Sequence, residues 1–422
     1  MWGADYISLF LEVCVPNQLS PRNLATLPPG SRYRIFTIAQ DVPRLSADPR
    51  LDDIRRVVPV DVVAIDMTEA DGHSRRVGTI ANAHKRMIAC HRRAAADAAA
   101  AKHGLIFLVP DCVISEGTIE TLLALHRRGA RAVVSTGMRL ALESFVEAQR
   151  RESMPAALPP RELVRVAMQH LHPSTIELMS DGNTDYRTAV YWPVRSATSI
   201  DGVLIRTFTL HPLLVDPVLR HELPGGPVDS HYVRHCVPDI HDVHVVEDSD
   251  EIALFELTTA RRVVGKQRRG GRLLPRMVAG SAQWDSHQVS HWQRAIHIHA
   301  APIDARWQAI DRESAALAAT VERYRPVAPA LVIMYRLFKS WRRRDDAART
   351  AALKLRKRAA RGIRVTAHRV SKTLETTRKA LRPAVSGKQV ARPVRLLWHR
   401  GAKVAKQGMK RMRRRMRALL PA

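Results

Sequence analysis

Short apolar runs alternate with helical patterns over roughly the first 140 residues of the chain. Residues 33–38 and 57–67 are rich in β-branched and aromatic side chains and predict two strands. Residues 77–103 carry apolar positions at helical spacing in an Ala-rich stretch, so they predict a long helix. Uninterrupted apolar runs at 105–109 and 130–135 predict strands that are buried on both faces. This rhythm predicts an α/β fold with a mostly parallel sheet flanked by helices.

The helix between the last two strands has clear end signals. Ser115 is a suitable N-cap for a helix that runs to residue 128, and Gly129 is a suitable C-cap. Asp111 and the residues up to Ser115 then form a loop between the strand at 105–109 and this helix.

The pattern changes after residue 140. Residues 141–180 favour helices, whereas 189–257 favour strands, one of which delivers His211 at its end. Residues 286–324 are predicted to be helical. His297 and His299 alternate with isoleucines as strand neighbours would, and no function is assigned to them.

The charge divides the chain more sharply than the apolar pattern does. The 422 residues carry a formal net charge of +28, and residues 336–422 hold 29 Lys and Arg against three acids. We therefore predict a nearly neutral body, made of an α/β half at 1–140 and a mixed β and helical half at 141–335. A basic helical tail at 336–422 follows this body. An apolar content of 45% suits a large core.

Several classes of protein lack their signatures here. The four cysteines are scattered without any C-x-x-C pair, which disfavours a zinc knuckle and suits free thiols in a reducing cytoplasm. The N-terminus does not look like a signal peptide, and no apolar run is long enough to predict a transmembrane helix. The chain has no G-x-S-x-G, P-loop or G-x-G-x-x-G motif.

Asp111 is the most informative single residue, because it directly follows the buried strand at 105–109. Ligands of open α/β sheets bind beyond the carboxyl ends of the strands. A carboxylate at that place can hold a divalent cation or a sugar hydroxyl, and the alternative is that it only caps a turn.

The segment around Asp111 resembles a known family. His91-Arg-Arg-Ala94, the Ala-rich helix and Gly104-Leu-Ile-Phe-Leu-Val-Pro-Asp-Cys-Val-Ile-Ser115 are similar to the core segment of inverting family-2 glycosyltransferases of the type A fold. The resemblance implies that a nucleotide-sugar donor binds here. In that family an Asp-x-Asp motif contacts the donor, and its second Asp holds Mg²⁺ or Mn²⁺. Asp111 matches this second Asp, whereas Val109 replaces the first.

The same resemblance suggests further donor-binding residues. Asp66 follows the second strand, where the family often keeps an acidic residue near the uridine. His91 and Arg92 are included in the nucleotide-sugar site, and the alternative is a solvated helix face.

An inverting transfer also needs a base for the acceptor hydroxyl and a cationic group for the leaving diphosphate. His211, Asp239 and Asp248 are the candidate catalytic residues in the second half. The alternatives are a turn histidine at 211 and a solvated acidic loop at 247–251. The histidines here lack zinc-site spacing. His287 and His291 lie between tryptophans, which favours packing over shared metal ligation.

The tail combines charge with an apolar stripe. Met409, Met412, Met416 and Leu419 recur at three- and four-residue steps, which predicts a basic amphipathic helix that binds an anionic membrane surface. Nucleic acid is the rival polyanion, and a solvated tail is the third interpretation. The candidate polyanion-binding residues are Arg342, Arg343, Arg344, Arg411, Arg413, Arg414, Arg415 and Arg417.

Together these features predict a cytoplasmic glycosyltransferase, peripheral on the inner membrane, that transfers a sugar from a nucleotide-diphosphate donor to a glycan or lipid-linked acceptor. The alternative is a non-catalytic binding or scaffold protein with a degenerate sugar-nucleotide fold. Its basic tail would bind nucleic acid or membrane. Val109, which replaces the first Asp of the motif, is the feature that favours this alternative.

Overall fold

A computed structural model describes most of the chain up to residue 330. The described residues are 1–65, 80–180, 189–218, 230–261, 277–278, 280–330, 333, 368, 372, 375 and 376. The chain divides into two compact units, Met1–Val332 and Ile333–Ala422. The first unit contains both halves of the predicted body. The described residues of the second unit are helical.

Helices and strands are interspersed along the first unit. The described strands are β1 (Tyr33–Ile38), β2 (Val60–Ile65), β3 (Leu105–Ile106), β4 (Cys112–Ile114), β5 (Ala132–Ser135), β6 (Met138–Ala141), β7 (Ala189–Arg195), β8 (Ile200–Thr207), β9 (His211–Val215), β10 (Val243–Val245), β11 (Leu254–Thr258) and β12 (Ile296–His299). The described α-helices are α1 (Ala4–Leu9), α2 (Val15–Gln18), α3 (Val42–Ser46), α4 (Arg50–Arg55), α5 (Ile80–Ala101), α6 (Thr118–Arg127), α7 (Leu142–Arg151), α8 (Pro160–Ala167), α9 (Pro173–Ile176), α10 (Ser230–Cys236), α11 (Ser286–Gln293) and α12 (Ala305–Tyr324). A π-helical segment, Phe10–Cys14, joins α1 to α2, and short 3₁₀ turns occupy Leu24–Thr26, Ala39–Asp41, Ile240–Asp242 and Arg325–Val327.

The central sheet has the strand order β10-β5-β9-β3. Strand β9 pairs antiparallel with β3 on one side and with β5 on the other. Strands β3 and β5 therefore run parallel to each other with β9 between them, and β10 extends the sheet parallel to β5. Because β9 and β10 come from the second half of the body, that half completes the sheet of the first.

Three smaller sheets surround this one. Strands β1 and β2 pair in parallel, β11 lies between β4 and β6, and β8 lies between β12 and β7. Among the described strands, three pairings are parallel and five are antiparallel. The fold is thus mixed α/β, and the expectation of a mostly parallel sheet does not hold for these pairings.

Two predicted helix ends differ in outcome. Gly129 has a φ of 104°, and its N–H donates to the carbonyl of His126, so a glycine does end α6. Ser115 does not cap this helix. Its hydroxyl accepts the N–H of Ala253 instead, and Gly117, with a φ of 83°, precedes the first helical residue. The N–H of Ala253, just before β11, is buried and needs an acceptor, so the Ser115 hydroxyl accepts from it instead of capping α6.

Three stretches differ from their predicted structure. The predicted loop after Asp111 contains β4, which pairs with β11. His211 begins β9 and does not end the preceding strand. Strand β12 interrupts the stretch that was predicted as helix over 286–324, because its Ile residues pack in the core while it pairs with β8.

The apolar positions form several contiguous clusters. The largest joins β5, β6, β8 and β11 with helices α7, α8 and α10, so it draws on both halves of the body. All four cysteines are buried and free. None of the described helices combines the length and the apolar character that crossing a bilayer requires.

Gly202 provides a test of the packing between β8 and β12. It pairs with His299, and a methyl group at residue 202 would overlap the carbonyl oxygen of Ile298 and come within 2.6 Å of the Trp307 ring. We expect Gly202→Ala to lower the free energy of unfolding by about 3 kcal/mol, because backbone atoms cannot move aside cheaply. Urea unfolding followed by circular dichroism measures this loss.

The matched control is Gly280→Ala, since a methyl group there would meet no atom within 4 Å. Equal stability of the two variants would contradict the close approach of β8 and β12.

Candidate functional site

Polar residues from distant parts of the chain gather at one end of the central sheet, which we call the carboxyl edge. Asp111 follows β3, and Ser135 ends β5. His211 begins the antiparallel strand β9 and pairs with Ser135, so it lies at the same edge. Asp248 follows β10, which runs parallel to β5. Because β9 runs antiparallel to β5, the start of β9, where His211 lies, is at the same edge as the end of β5.

Strand order sets the spacing along this edge. Strand β9 lies one strand spacing, about 5 Å, from β3, and Leu214 pairs with Ile106 at the end of β3. His211 lies three residues before Leu214 on β9, beyond the end of β3. Strand β10 lies three spacings, about 14 Å, from β3. His211 is therefore on the strand next to the one that leads to the Asp111 turn, whereas Asp248 lies at the far end of the carboxyl edge.

The turn that carries Asp111 is fixed by hydrogen bonds on both sides. The N–H of Leu257 donates to the carbonyl of Asp111 at 2.6 Å, and the thiol of Cys14 donates to the carbonyl of Pro110 at 3.2 Å. Burial, followed by the Asp111 carboxylate, raises the pKa of Cys14 well above its usual range. The same two causes raise the pKa of Cys112. Both thiols thus stay neutral, and the carboxylate is the negative group of this turn.

A cation that the sequence did not indicate lies near this turn. Cys112, Glu256 and Arg139 pair in a row across β4, β11 and β6. The guanidinium Nε of Arg139 lies 3.0 Å from both carboxylate oxygens of Glu256. About a third of each of these two side chains is exposed, so the pair faces solvent. Arg139 can therefore meet an anion beside the Asp111 turn.

A second polar group forms around Asp248. One donor atom each from Asp248, Asp250 and His299 lie within 4.8 Å of one another. The guanidinium of Arg161 donates to both oxygens of Asp250, at 2.6 to 3.1 Å, and thereby lowers the pKa of that carboxyl. We call Asp248, Asp250 and His299 the seam cluster.

The resemblance places a divalent cation at Asp111, and the structure offers a test of fit. Within the described part of the chain, the seam cluster is the one group of three His, Cys, Asp or Glu side chains whose donor atoms converge. Asp111 does not belong to it, and Val109 supplies no oxygen where the motif has its first Asp. Asp111 is thus not part of a three-ligand cluster among the described residues, and the cation that the resemblance implies there stays a prediction.

The other predicted site residues lie apart from the carboxyl edge or outside the described residues. Asp239 is exposed before β10, at the opposite end of the sheet, where it accepts the N–H of His241. The ring of His91 packs edge-on against Phe107, with centroids 5.7 Å apart, and Arg92 is exposed on α5. Asp66 lies outside the described residues, as do the tail arginines 342–344, 411, 413–415 and 417.

His287 and His291 lie inside the body on α11. Both side chains are buried, and their ring centroids are 6.2 Å apart. The Nε2 of His287 lies 3.1 Å from the carbonyl of Pro238. Burial, and then the charge that His287 can carry, lowers the pKa of His291 to about 4. His291 is therefore neutral at pH 7, which agrees with a packing role for this residue.

Sequence reasoning missed Arg139, Asp250 and His299. Asp250 belonged to an acidic run that offered no way to choose among its members. His299 did carry a signal, because the Ile-His-Ile-His alternation has the period of a strand whose two faces differ. Arg139 had no local signal, since its neighbour Glu256 is 117 residues away.

Comparison with protein-family models, with curated proteins and with solved structures finds no match for this chain.

The buried His291 predicts a specific pH dependence of stability. Its pKa is lower in the folded protein than the ordinary 6.5, so the unfolded chain takes up a proton first as the pH falls. Stability from this residue is full above pH 6.5 and is lost as the pH falls toward 4. We expect His291→Leu to remove about 2 kcal/mol of the loss in unfolding free energy between pH 7 and pH 5.

Urea unfolding at the two pH values measures this difference. The exposed His103 supplies the control, because His103→Leu is expected to keep the pH dependence of the wild type. An unchanged pH dependence in His291→Leu would show that His291 already takes up its proton in the folded protein.

Proposed function

We propose that this protein is a glycosyltransferase that binds a nucleotide-diphosphate sugar at the carboxyl edge. The observation that carries the proposal is the convergence of Asp111, Ser135 and His211 on that edge from three separate strands. Ligands of α/β sheets bind at the carboxyl ends of strands, and the resemblance around residues 91–115 supplies the donor class. The mixed α/β architecture is compatible with a type A fold, in which this edge would hold the donor.

The proposed roles follow from charge and position. The Asp111 carboxylate accepts hydrogen bonds from donor hydroxyls. Arg139 is the cation near the Asp111 turn, and it stabilises the negative charge that develops on the leaving diphosphate. The exposed His211 lies nearest to Asp111 along the edge, so it is the best placed base for the acceptor hydroxyl. Asp248 is the alternative base at the far end, and Asp239 is not, because it lies at the opposite edge.

The acceptor is proposed to be a glycan or a lipid-linked molecule at the inner membrane surface. This part of the proposal comes from the basic, amphipathic pattern of residues 409–419. A tail that docks on anionic lipid would keep the enzyme beside an acceptor that is itself held in the membrane.

One observation favours a second function. The side chain of Val109 is 44% exposed at the place of the first motif Asp, so it neither packs in the core nor contacts a ligand through oxygen. A binding protein that has lost transfer activity would tolerate this exchange. Such a protein would still bind a nucleotide at the edge, but it would not hydrolyse or transfer the sugar.

Calorimetric titration with UDP and GDP, each with and without Mn²⁺, tests the donor site. We expect one nucleotide to bind the full-length protein and Asp111→Ala to weaken that binding at least about tenfold, because a hydrogen bond to a charged group is lost. The matched control is Asp216→Ala, which removes a carboxylate just beyond the other end of β9.

Absence of binding of either nucleotide would overturn the proposed function, and so would equal affinity in Asp111→Ala. Sugar release from a bound UDP- or GDP-sugar then separates the enzyme from the binding protein, which would leave the donor intact.

Flotation with vesicles that contain phosphatidylglycerol tests the role of the tail. In the full-length protein, we expect replacement of Met409, Met412, Met416 and Leu419 by serine to abolish flotation, because the apolar stripe enters the headgroup boundary. Replacement of Arg411, Arg413, Arg414, Arg415 and Arg417 by glutamine should also abolish it, because the attraction to anionic lipid is lost.

Binding to single-stranded and duplex DNA is the companion measurement. If the tail binds membranes, the serine variant should lose vesicle binding and keep the DNA binding of the wild type. Undiminished flotation of that variant would contradict the membrane role, and nucleic-acid binding would then be the better interpretation.

A further inference from the structure

The seam cluster lies between two sheets of the first unit. Residues 247–249 follow β10 of the central sheet, whereas His299 ends β12 of the neighbouring sheet. Backbone hydrogen bonds join these two segments. The N–H of His297 donates to the carbonyl of Glu247 at 2.7 Å, and the N–H of Ser249 donates to the carbonyl of His297 at 2.9 Å. Backbone hydrogen bonds therefore hold the segment that carries Asp248 next to the strand that carries His299.

The imidazole of His299 is set in one orientation. Its side chain is 2% exposed, and the ring of Trp307 packs edge-on against it with centroids 5.9 Å apart. Nδ1 lies 2.7 Å from the carbonyl oxygen of Ala301, which can only accept a hydrogen bond. Nδ1 therefore carries a proton, and Nε2 faces the carboxylates.

The close contact between Nε2 of His299 and Asp248 requires a proton or a cation between the two atoms. Nε2 lies 2.8 Å from Oδ1 of Asp248 and 4.0 Å from Oδ2 of Asp250. Two acceptors at this distance repel each other unless a proton or a cation lies between them. A histidine whose other nitrogen donates to a backbone carbonyl is the arrangement that orients imidazoles toward bound metals.

Charge and access favour a cation at this place. Arg161 compensates one of the two carboxylates and fixes Asp250. Oδ2 of Asp250 accepts two hydrogen bonds from Arg161, whereas Oδ1 accepts one and retains a second lone pair. The single positive charge of Arg161 leaves one of the two carboxylates for a cation to balance. The side chains of Asp248 and Asp250 are 46% and 38% exposed, and a depression of about 640 Å³ borders Asp250. An ion can thus reach the carboxylates from solvent.

We propose that the seam cluster binds one divalent cation through Asp248, Asp250 and the Nε2 of His299, and that this ion ties the two sheets together. Two carboxylates with one imidazole suit Mn²⁺ or Zn²⁺ better than Mg²⁺, which prefers oxygen donors throughout. Water completes the coordination on the exposed side. The proposal makes Asp248 a metal ligand instead of the alternative base, and it otherwise stands apart from the proposed function, since it involves neither a nucleotide nor Asp111.

Electron paramagnetic resonance of Mn²⁺ titrated into the metal-free, full-length protein tests the site. We expect one bound Mn²⁺ per chain that Zn²⁺ displaces and that millimolar Mg²⁺ does not. Asp248→Asn and His299→Gln are each expected to weaken binding at least about tenfold. The melting temperature should rise with Mn²⁺ in the wild type and in neither variant, because a ligand of the folded state stabilises it.

Glu251→Gln is the matched control. Glu251 is the next acid along the chain but contacts His244 instead of the cluster, so this variant should bind Mn²⁺ like the wild type. Asp248→Asn keeps the test valid if the buried His299→Gln variant does not fold, since the Asp248 side chain is half exposed.

The proposal fails if the wild type binds no Mn²⁺ at 1 mM (about the weakest affinity of a specific site), or if Asp248→Asn binds it undiminished. In either case the contact of His299 with Asp248 is a hydrogen bond within the protein, and the cluster holds no metal. Nucleotide titration of the same preparations is read separately, so loss of the metal site and loss of the proposed function are distinguishable.

Discussion

Pairing of the buried strand β5 on both of its sides is the constraint on which the rest of the structure depends. Every residue of β5 is buried, so its backbone N–H and carbonyl groups have no access to water and must be paired within the protein. Strand β9 meets this requirement on one side and β10 on the other. Both partners come from the second half of the body, so the largest core cluster draws on both halves.

The arrangement of the polar residues follows from this pairing. Apolar side chains fill both faces of the central strands, which leaves the strand ends as the places where polar groups can meet solvent. Since β9 runs antiparallel, its first residue, His211, pairs with the last residue of β5 and lies beyond the end of β3. His211 thus lies at the same edge as the Asp111 turn, and the hydrogen bond from Leu257 fixes that turn from the side of β11.

Local patterns predicted elements well where a single element decides its own structure. Strand β1 has the predicted bounds, and α5 falls within the predicted helix. Gly129 ends α6 as expected, because a residue with positive φ is needed there. Asp111 is likewise a candidate from local pattern alone, because it follows the apolar run 105–109, and its role stays a prediction.

Features that depend on distant partners could not be read in this way. The direction and place of β9 depend on partners about 80 to 110 residues earlier in the chain. Arg139 gained its neighbour Glu256 only through the pairing of β6 with β11, and Asp239 was separated from the other candidates by its place before β10. His299 was passed over although its alternation predicted a strand, because the chemistry of the cluster lies in Asp248, about 50 residues earlier.

Hydrogen–deuterium exchange of the full-length protein, with and without saturating UDP or GDP, tests most directly whether the carboxyl edge is the binding site. The account predicts that nucleotide slows exchange in the turn at 107–112 and in the connection at 136–138. Exchange at the opposite edge, around 126–131 and 239–242, should be unchanged. Protection at the opposite edge, or none at 107–112 while a nucleotide is bound, would contradict the account.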